Sequence, residues 1–318
     1  MSKKFSLFLL SLFMAIGILL PRTGLSVNAN GMKRGSPNGD FIEPSVDNVC
    51  CGGIKYKMIN DNGIRTAKVV GFDIDSIDFN VSIPDSISDK NGEVYLVTII
   101  GDSAFYRCDK LQEISFPAGL EVIEKYAFYE CYYLNYVEVQ SGVTSIGDYA
   151  FCRCNLEDVF EIPNSVTVIG EGAFKECKNL SSISIPSSVI NIGKYAFAGC
   201  AYLEEIVVDD LNLNYSSVDG VLFNKDKTEL IQCPGFYFGD KFGQEPYRIP
   251  KNVKIIGEYA FYLCGELCSI EIPEGTEIIS GNAFRDCYRL ISIKIPKTLE
   301  YMGKNAFYGC CSLKEING

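Results

Sequence analysis

Histidine is absent from the 318-residue sequence. That removes the commonest general base and the commonest zinc ligand, and it excludes Ser-His-Asp and Cys-His catalytic units. Lysine, tyrosine and carboxylate chemistry stays formally open. Basic charge is also scarce: 29 Lys and Arg stand against 40 Asp and Glu, a formal net charge of −11. Phosphate recognition needs clustered basic charge, and anionic lipid offers an acidic protein no attraction, so neither nucleic acid nor a lipid surface is expected as a partner. No Cys-x-x-Cys pair occurs, and the acidic segments near Asp73 and Asp89 do not match a calcium loop, so no metal or cofactor is expected. Apolar residues make up 47% of the chain, a normal share for a folded protein.

Beyond the N-terminus there is no long hydrophobic run. Lys3 and Lys4 precede an apolar stretch over residues 5–20 that only Ser6, Ser11 and Gly17 interrupt, and Pro21 ends it. Val27-Asn28-Ala29 then supplies small residues for a signal peptidase, so residues 1–29 read as a signal peptide cleaved after Ala29. The run falls short of the roughly 20 apolar residues that a spanning helix needs, which favours cleavage over a retained anchor. Loss of Lys3, Lys4 and Arg22 takes the charge from −11 to −14, and no integral span is expected afterwards. Residues 30–48, rich in Gly, Asn, Ser and Pro, read as a flexible leader.

The remainder is organised by repetition. An Ala-Phe pair recurs every 23 residues at Phe105, Phe128, Phe151, Phe174 and Phe197, and again at Phe261, Phe284 and Phe307. The surrounding letters repeat in step: Ile169-Gly170, Ala173-Phe174, Cys177, Leu180, Ile183, Ile185-Pro186 in one copy, and Ala283-Phe284, Cys287, Leu290, Ile293, Ile295-Pro296 in another. Leu-x-x-Ile-x-Ile ends in period-two alternation, which predicts a short strand with one buried face that the following Pro terminates. Ile-Gly is expected to turn the chain, with Gly taking a backbone conformation that a side chain would oppose. The Ala-Phe segment is expected to form a short helical turn or irregular stretch with Phe plugging the core. One coil cannot bury its own apolar face, but stacked coils can, so the eight Phe side chains are the expected repeat core of a solenoid carrying one parallel sheet.

The repeat unit resembles the leucine-rich repeats of the BspA-like family, also called the Treponema pallidum type, in nearly every copy from residue 98 to 316. The resemblance implies an α/β repeat solenoid, a right-handed coil with a parallel sheet face and short helical or irregular turns. It also implies a secreted or surface-exposed adhesin-like protein and carries no catalytic residues. On this basis residues 49–97 are an N-terminal β-hairpin cap, with Asn60-Asp61-Asn62-Gly63 as its turn, and residues 98–208 are the first block of repeats. Residues 209–248 are an insertion read as a projecting hairpin around residues 225–228, either a structural variant or a contact loop exposing Phe236, Tyr237, Phe238 and Phe242. Residues 249–318 are the second block.

Eight cysteines share one repeat position: Cys108, Cys131, Cys154, Cys177, Cys200, Cys264, Cys287 and Cys310. A slot common to every coil is a core slot, which favours buried thiols. Cys50, Cys51, Cys152, Cys233, Cys268 and Cys311 lie off that column and are better disulfide candidates, with their pairing open. Strand residues on either side of the buried Ile should face solvent, giving an acid-rich candidate binding face of Glu113, Tyr136, Glu138, Glu161, Glu205 and Glu271, with Tyr129 and Tyr133 from the tyrosine-rich second coil. Stacked Glu138 and Glu161 would repel without structural benefit, and such a strip suits a basic patch on a partner. The expected partner is therefore an extracellular protein or glycan. The alternative is self-association through a C-terminal coil that no polar cap follows.

Overall fold

A computed structural model describes residues 48–236 and 246–317. Residues 1–47, which hold the expected signal peptide and all of the expected leader but Asn48, and Tyr237, Phe238 and Phe242 lie outside the described residues; Asn48 is in a strand, Asn48–Cys51. The repeats form a solenoid whose buried interior is lined by the expected column. Phe105, Phe128, Phe151, Phe174, Phe197, Phe261 and Phe284 are fully buried, while Phe307 is half-buried. Successive rings stack nearly parallel, with centroids 5.2 Å apart for Phe105–Phe128 and Phe128–Phe151 and 5.5 Å for Phe151–Phe174. Offset stacking of this kind adds to the area that each ring removes from water.

Each coil contributes to two parallel ladders. The expected strand is present: Glu113–Ser115 pairs with Tyr136–Glu138, and Leu180–Ile185 with Glu205–Val208. A second ladder runs through the Ile-Gly position, where Val122–Ile123, Ser145–Ile146, Val168–Ile169 and Asn191–Ile192 pair in register. The glycines that follow, Gly147 and Gly170 among them, do not have positive φ. The reason for glycine here is proximity, not conformation, which corrects the sequence-based expectation. A Cβ on Gly147 would stand 2.5 Å from the backbone nitrogen of Lys125 in the preceding coil.

The Ala-Phe segments are turns, and no helix occurs among the described residues. The α/β label and the helical turns are thus absent from this part of the chain, and hydrogen-bond accounting explains why. Two residues per coil, four apart, take positive φ: Ser103 and Arg107, Tyr126 and Glu130, Tyr149 and Arg153, Gly172 and Glu176. These alternations rotate the amides so that every second N–H points to the next coil. Ser103 N donates to Lys125 O at 3.1 Å, Phe105 N to Ala127 O at 2.7 Å and Arg107 N to Tyr129 O at 2.8 Å. The intervening amides close turns within the coil, as Ala104 N does to Gly101 O at 3.1 Å and Cys108 N to Phe105 O at 3.1 Å. The segment thereby satisfies its backbone with a third inter-coil ladder that a helix would forgo.

The predicted single sheet face is divided in three, with three, three and four strands. The first break lies between Tyr136–Glu138 and Asp158–Glu161, which do not pair. In this coil Leu156 follows Cys154 by two residues instead of three, and Asp158, at φ 57°, bulges to restore the count. The second break is the insertion. Its hairpin, Val221–Asn224 with Glu229–Gln232, forms around residues 225–228, but it does not project. Val221, Leu222, Phe223 and Leu230 are fully buried, and Glu229–Gln232 pairs in parallel with Ile255–Ile256 of the next coil. At the N-terminal end Ile54–Asp61 and Ile64–Phe72 form a hairpin turning at Asn62 and Gly63, both with positive φ, and Ile64–Phe72 pairs with Val94–Ile100 to join the second ladder. Asn80–Ser82 begins the first sheet beside Glu113–Ser115.

Candidate binding surfaces

The sheet face follows from strand alternation. Ile114 and Ile183 point inward, so their neighbours face solvent. Glu113, Glu138, Glu161 and Glu205 are exposed and form no ion pair with the described residues, and Tyr136 is 59% exposed beside them. Glu113 aligns with Tyr136, and Ser115 with Glu138. Glu138 and Glu161 sit on strands that do not pair, so the strict stacking expected of them does not occur. Glu271 differs from the rest: it is half-buried and lies in register between Arg248 and Lys294, with Arg248 Nη1 3.5 Å from its carboxylate. The acid surface thus belongs to the first block, and the second block is neutralised.

Tyr129 is not on this face. It lies on the turn side, where its ring stacks on Tyr106 at 5.1 Å and meets Tyr126 edge-on at 5.6 Å. Tyr126 in turn stacks on Tyr149 at 5.3 Å. Tyr149 and Tyr195 both donate to the same Glu171 oxygen, and burial with these contacts pushes the Tyr195 hydroxyl up to about 12. Tyr195 meets Tyr259 of the second block at 5.2 Å, so the aromatic strip crosses the insertion. Tyr133, in the turn that precedes the strand Tyr136–Glu138, is exposed.

Sequence reading missed a charge ladder on the turn side. The second positive-φ position carries Arg107, Glu130, Arg153 and Glu176 in four consecutive coils. Arg107 Nε approaches Glu130 at 2.6 Å, Arg153 Nη1 approaches the other Glu130 oxygen at 2.7 Å, and Arg153 Nε approaches Glu176 at 3.0 Å. Burial would raise the Glu130 carboxyl, but hydrogen bonds from Arg153 and Arg107 more than reverse it, so its pKa is lowered. The alternating signs, 23 residues apart, were readable in the sequence.

The shared cysteines line the interior, only Cys310 being half-buried, and most of their thiols meet a backbone carbonyl of the preceding coil. Cys131 Sγ donates to Phe105 O at 3.0 Å, Cys154 to Phe128 O at 3.1 Å and Cys177 to Phe151 O at 3.0 Å. Burial pushes Cys108 up to about 11 and Cys200 to about 12. Cys152 and Cys233, placed off the column as disulfide candidates, are buried free thiols, whereas Cys50, Cys51 and Cys311 are exposed. Among the described residues no group of three or more metal-ligating side chains converges, and no helix is long and apolar enough to cross a membrane.

With this geometry in place, residues 98–227 and 234–318 match the model of the BspA type leucine rich repeat region. The chain belongs to that family. A leucine-rich repeat protein from Eubacterium ventriosum is similar in structure, with a TM-score of 0.69 at 27% identity over 84% of this chain and 70% of that one. The pneumococcal vaccine antigen PcpA is similar at a TM-score of 0.64 and 25% identity, over 85% of this chain and 80% of that one. No curated protein sequence matches. As a BspA-type repeat protein the chain offers extended ladders and side-chain columns among its described residues.

Proposed function

We propose that this BspA-type protein is a secreted or cell-surface binding protein, adhesin-like and not catalytic, that recognises an extracellular protein or glycan through the sheet face of its first block. The observation that carries the reading is the set of exposed carboxylates, unpaired among the described residues, at Glu113, Glu138, Glu161 and Glu205 beside Tyr136. Isolated carboxylates with no structural partner add nothing to the fold, and together they favour a basic patch on a partner. Exchanging Glu138, Glu161 and Glu205 for Gln tests it. Binding to host matrix proteins should weaken and lose its salt dependence, and unchanged binding removes the acid face from the account.

A second reading, association with another copy, is favoured by the last described coil, where Tyr301, Met302, Tyr308 and Ile316 are exposed. Light scattering on the eluting protein separates the two, since a monomer at high concentration counts against association.

A further inference from the structure

The third coil is irregular at a second level. Other coils read Cys-x-x-Leu, but this one reads Cys154-Asn155-Leu156. Asn155 meets Asn179 and so stands in its column, and the missing position is the one that holds Tyr132 in the coil before and Lys178 in the coil after. A hollow of about 350 Å³ opens where that side chain would stand, lined by Tyr132, Arg153, Cys154, Asn155, Glu176 and Lys178.

The lining has a definite chemistry. Tyr132, 48% exposed, presents an aromatic wall. Asn155 Oδ1 accepts from Asn179 Nδ2 at 2.8 Å, which fixes the amide and turns its own N–H donors outward. Arg153 spends Nε on Glu176 and Nη1 on Glu130 and also interacts with the Tyr132 hydroxyl, so it is committed within the network. Within that network the charges of Arg107, Glu130, Arg153 and Glu176 cancel. Lys178 is exposed and forms no ion pair with the described residues, a cation in a chain of net charge −11. The hollow is lined by residues of three successive coils, and its volume suits one ring-sized group.

We propose that this corner is a subsite for an acidic sugar, a pyranose bearing a carboxylate within a glycan. The Tyr132 ring covers the C–H face of the sugar, Asn155 donates to a ring hydroxyl, and the Lys178 ammonium pairs with the carboxylate. The subsite lies off the acidic sheet face and does not depend on the reading given above for that face.

Titration of the full chain with glucuronic acid and with N-acetylneuraminic acid, followed by saturation-transfer NMR and calorimetry with glucose as the neutral control, tests it. At least one acid should bind, and glucose should bind more weakly. Lys178→Gln, a change at an exposed side chain, should weaken the acid about tenfold or more and leave glucose unchanged. Tyr132→Ala should weaken all three sugars, with circular dichroism confirming the fold. Glu113→Gln and Glu205→Gln should leave acid binding intact, which separates this subsite from the sheet face. The proposal is overturned if neither acid shows saturation transfer, or if Lys178→Gln binds the acid as the parent does.

Discussion

Glu130→Gln probes the charge ladder most directly. The Glu130 side chain is 4% exposed, while its partners Arg107 and Arg153 are 60% and 41% exposed. Glutamine keeps one oxygen for one guanidinium and turns an NH2 toward the other. Removing one partner of a fully buried ion pair costs about 3–5 kcal/mol. Here both guanidiniums reach solvent and rehydrate, so the loss should fall near 2 kcal/mol. For a folded unit of this size that lowers Tm by about 4–8 °C. The pH dependence carries a definite sign. The folded pKa of Glu130 is lowered, so its contribution is present above the unfolded carboxyl value of about 4.3 and is lost as pH falls through the folded value. Thermal melts of parent and variant should differ at pH 7 and converge in acid. Glu113→Gln, at an exposed position, should stay within about 0.5 kcal/mol of the parent at both pH values. Equal midpoints at pH 7, or a gap that persists undiminished in acid, would refute the reasoning.

Other consequences follow from the packing. Phe174→Ala removes a ring stacked on Phe151 at 5.5 Å and Phe197 at 5.8 Å and should cost about 3–5 kcal/mol by urea unfolding. Gly170→Ala should destabilise although its φ is ordinary, because the added methyl collides with the backbone of Gly147 and Asp148; a melting temperature equal to the parent's would contradict the proximity argument. Native protein treated with a thiol reagent at neutral pH should label Cys50, Cys51 and Cys311 quickly, and Cys154, Cys177 and Cys264 only as the chain unfolds; rapid labelling of Cys177 would argue against the sealed column.

The Ala-Phe period was enough to place the core, because a 23-residue repeat leaves each Phe a single stacking partner on either side. The exposed columns also followed from alternation, as Glu113 beside Tyr136 shows. Besides the charge ladder, three backbone features were not read. Positive φ leaves little trace in the letters, since Arg107, Tyr126 and Glu130 occupy positions that Gly172, Gly199 and Gly309 fill elsewhere. The role of Gly147 depends on how closely two coils approach, which no single coil encodes. The divided sheet had a visible cause, the early Leu156, but the average motif conceals a deletion that a later bulge makes good.

Consecutive residues on the strand Val221–Asn224 serve different interiors. Leu222 belongs to the first hydrophobic core, and Val221 and Phe223 belong to the second. The inserted segment is therefore a party wall, with each half of the molecule leaning on one of its sides. Cutting it out would not trim a loop; it would leave two half-buildings, each open where the wall had stood.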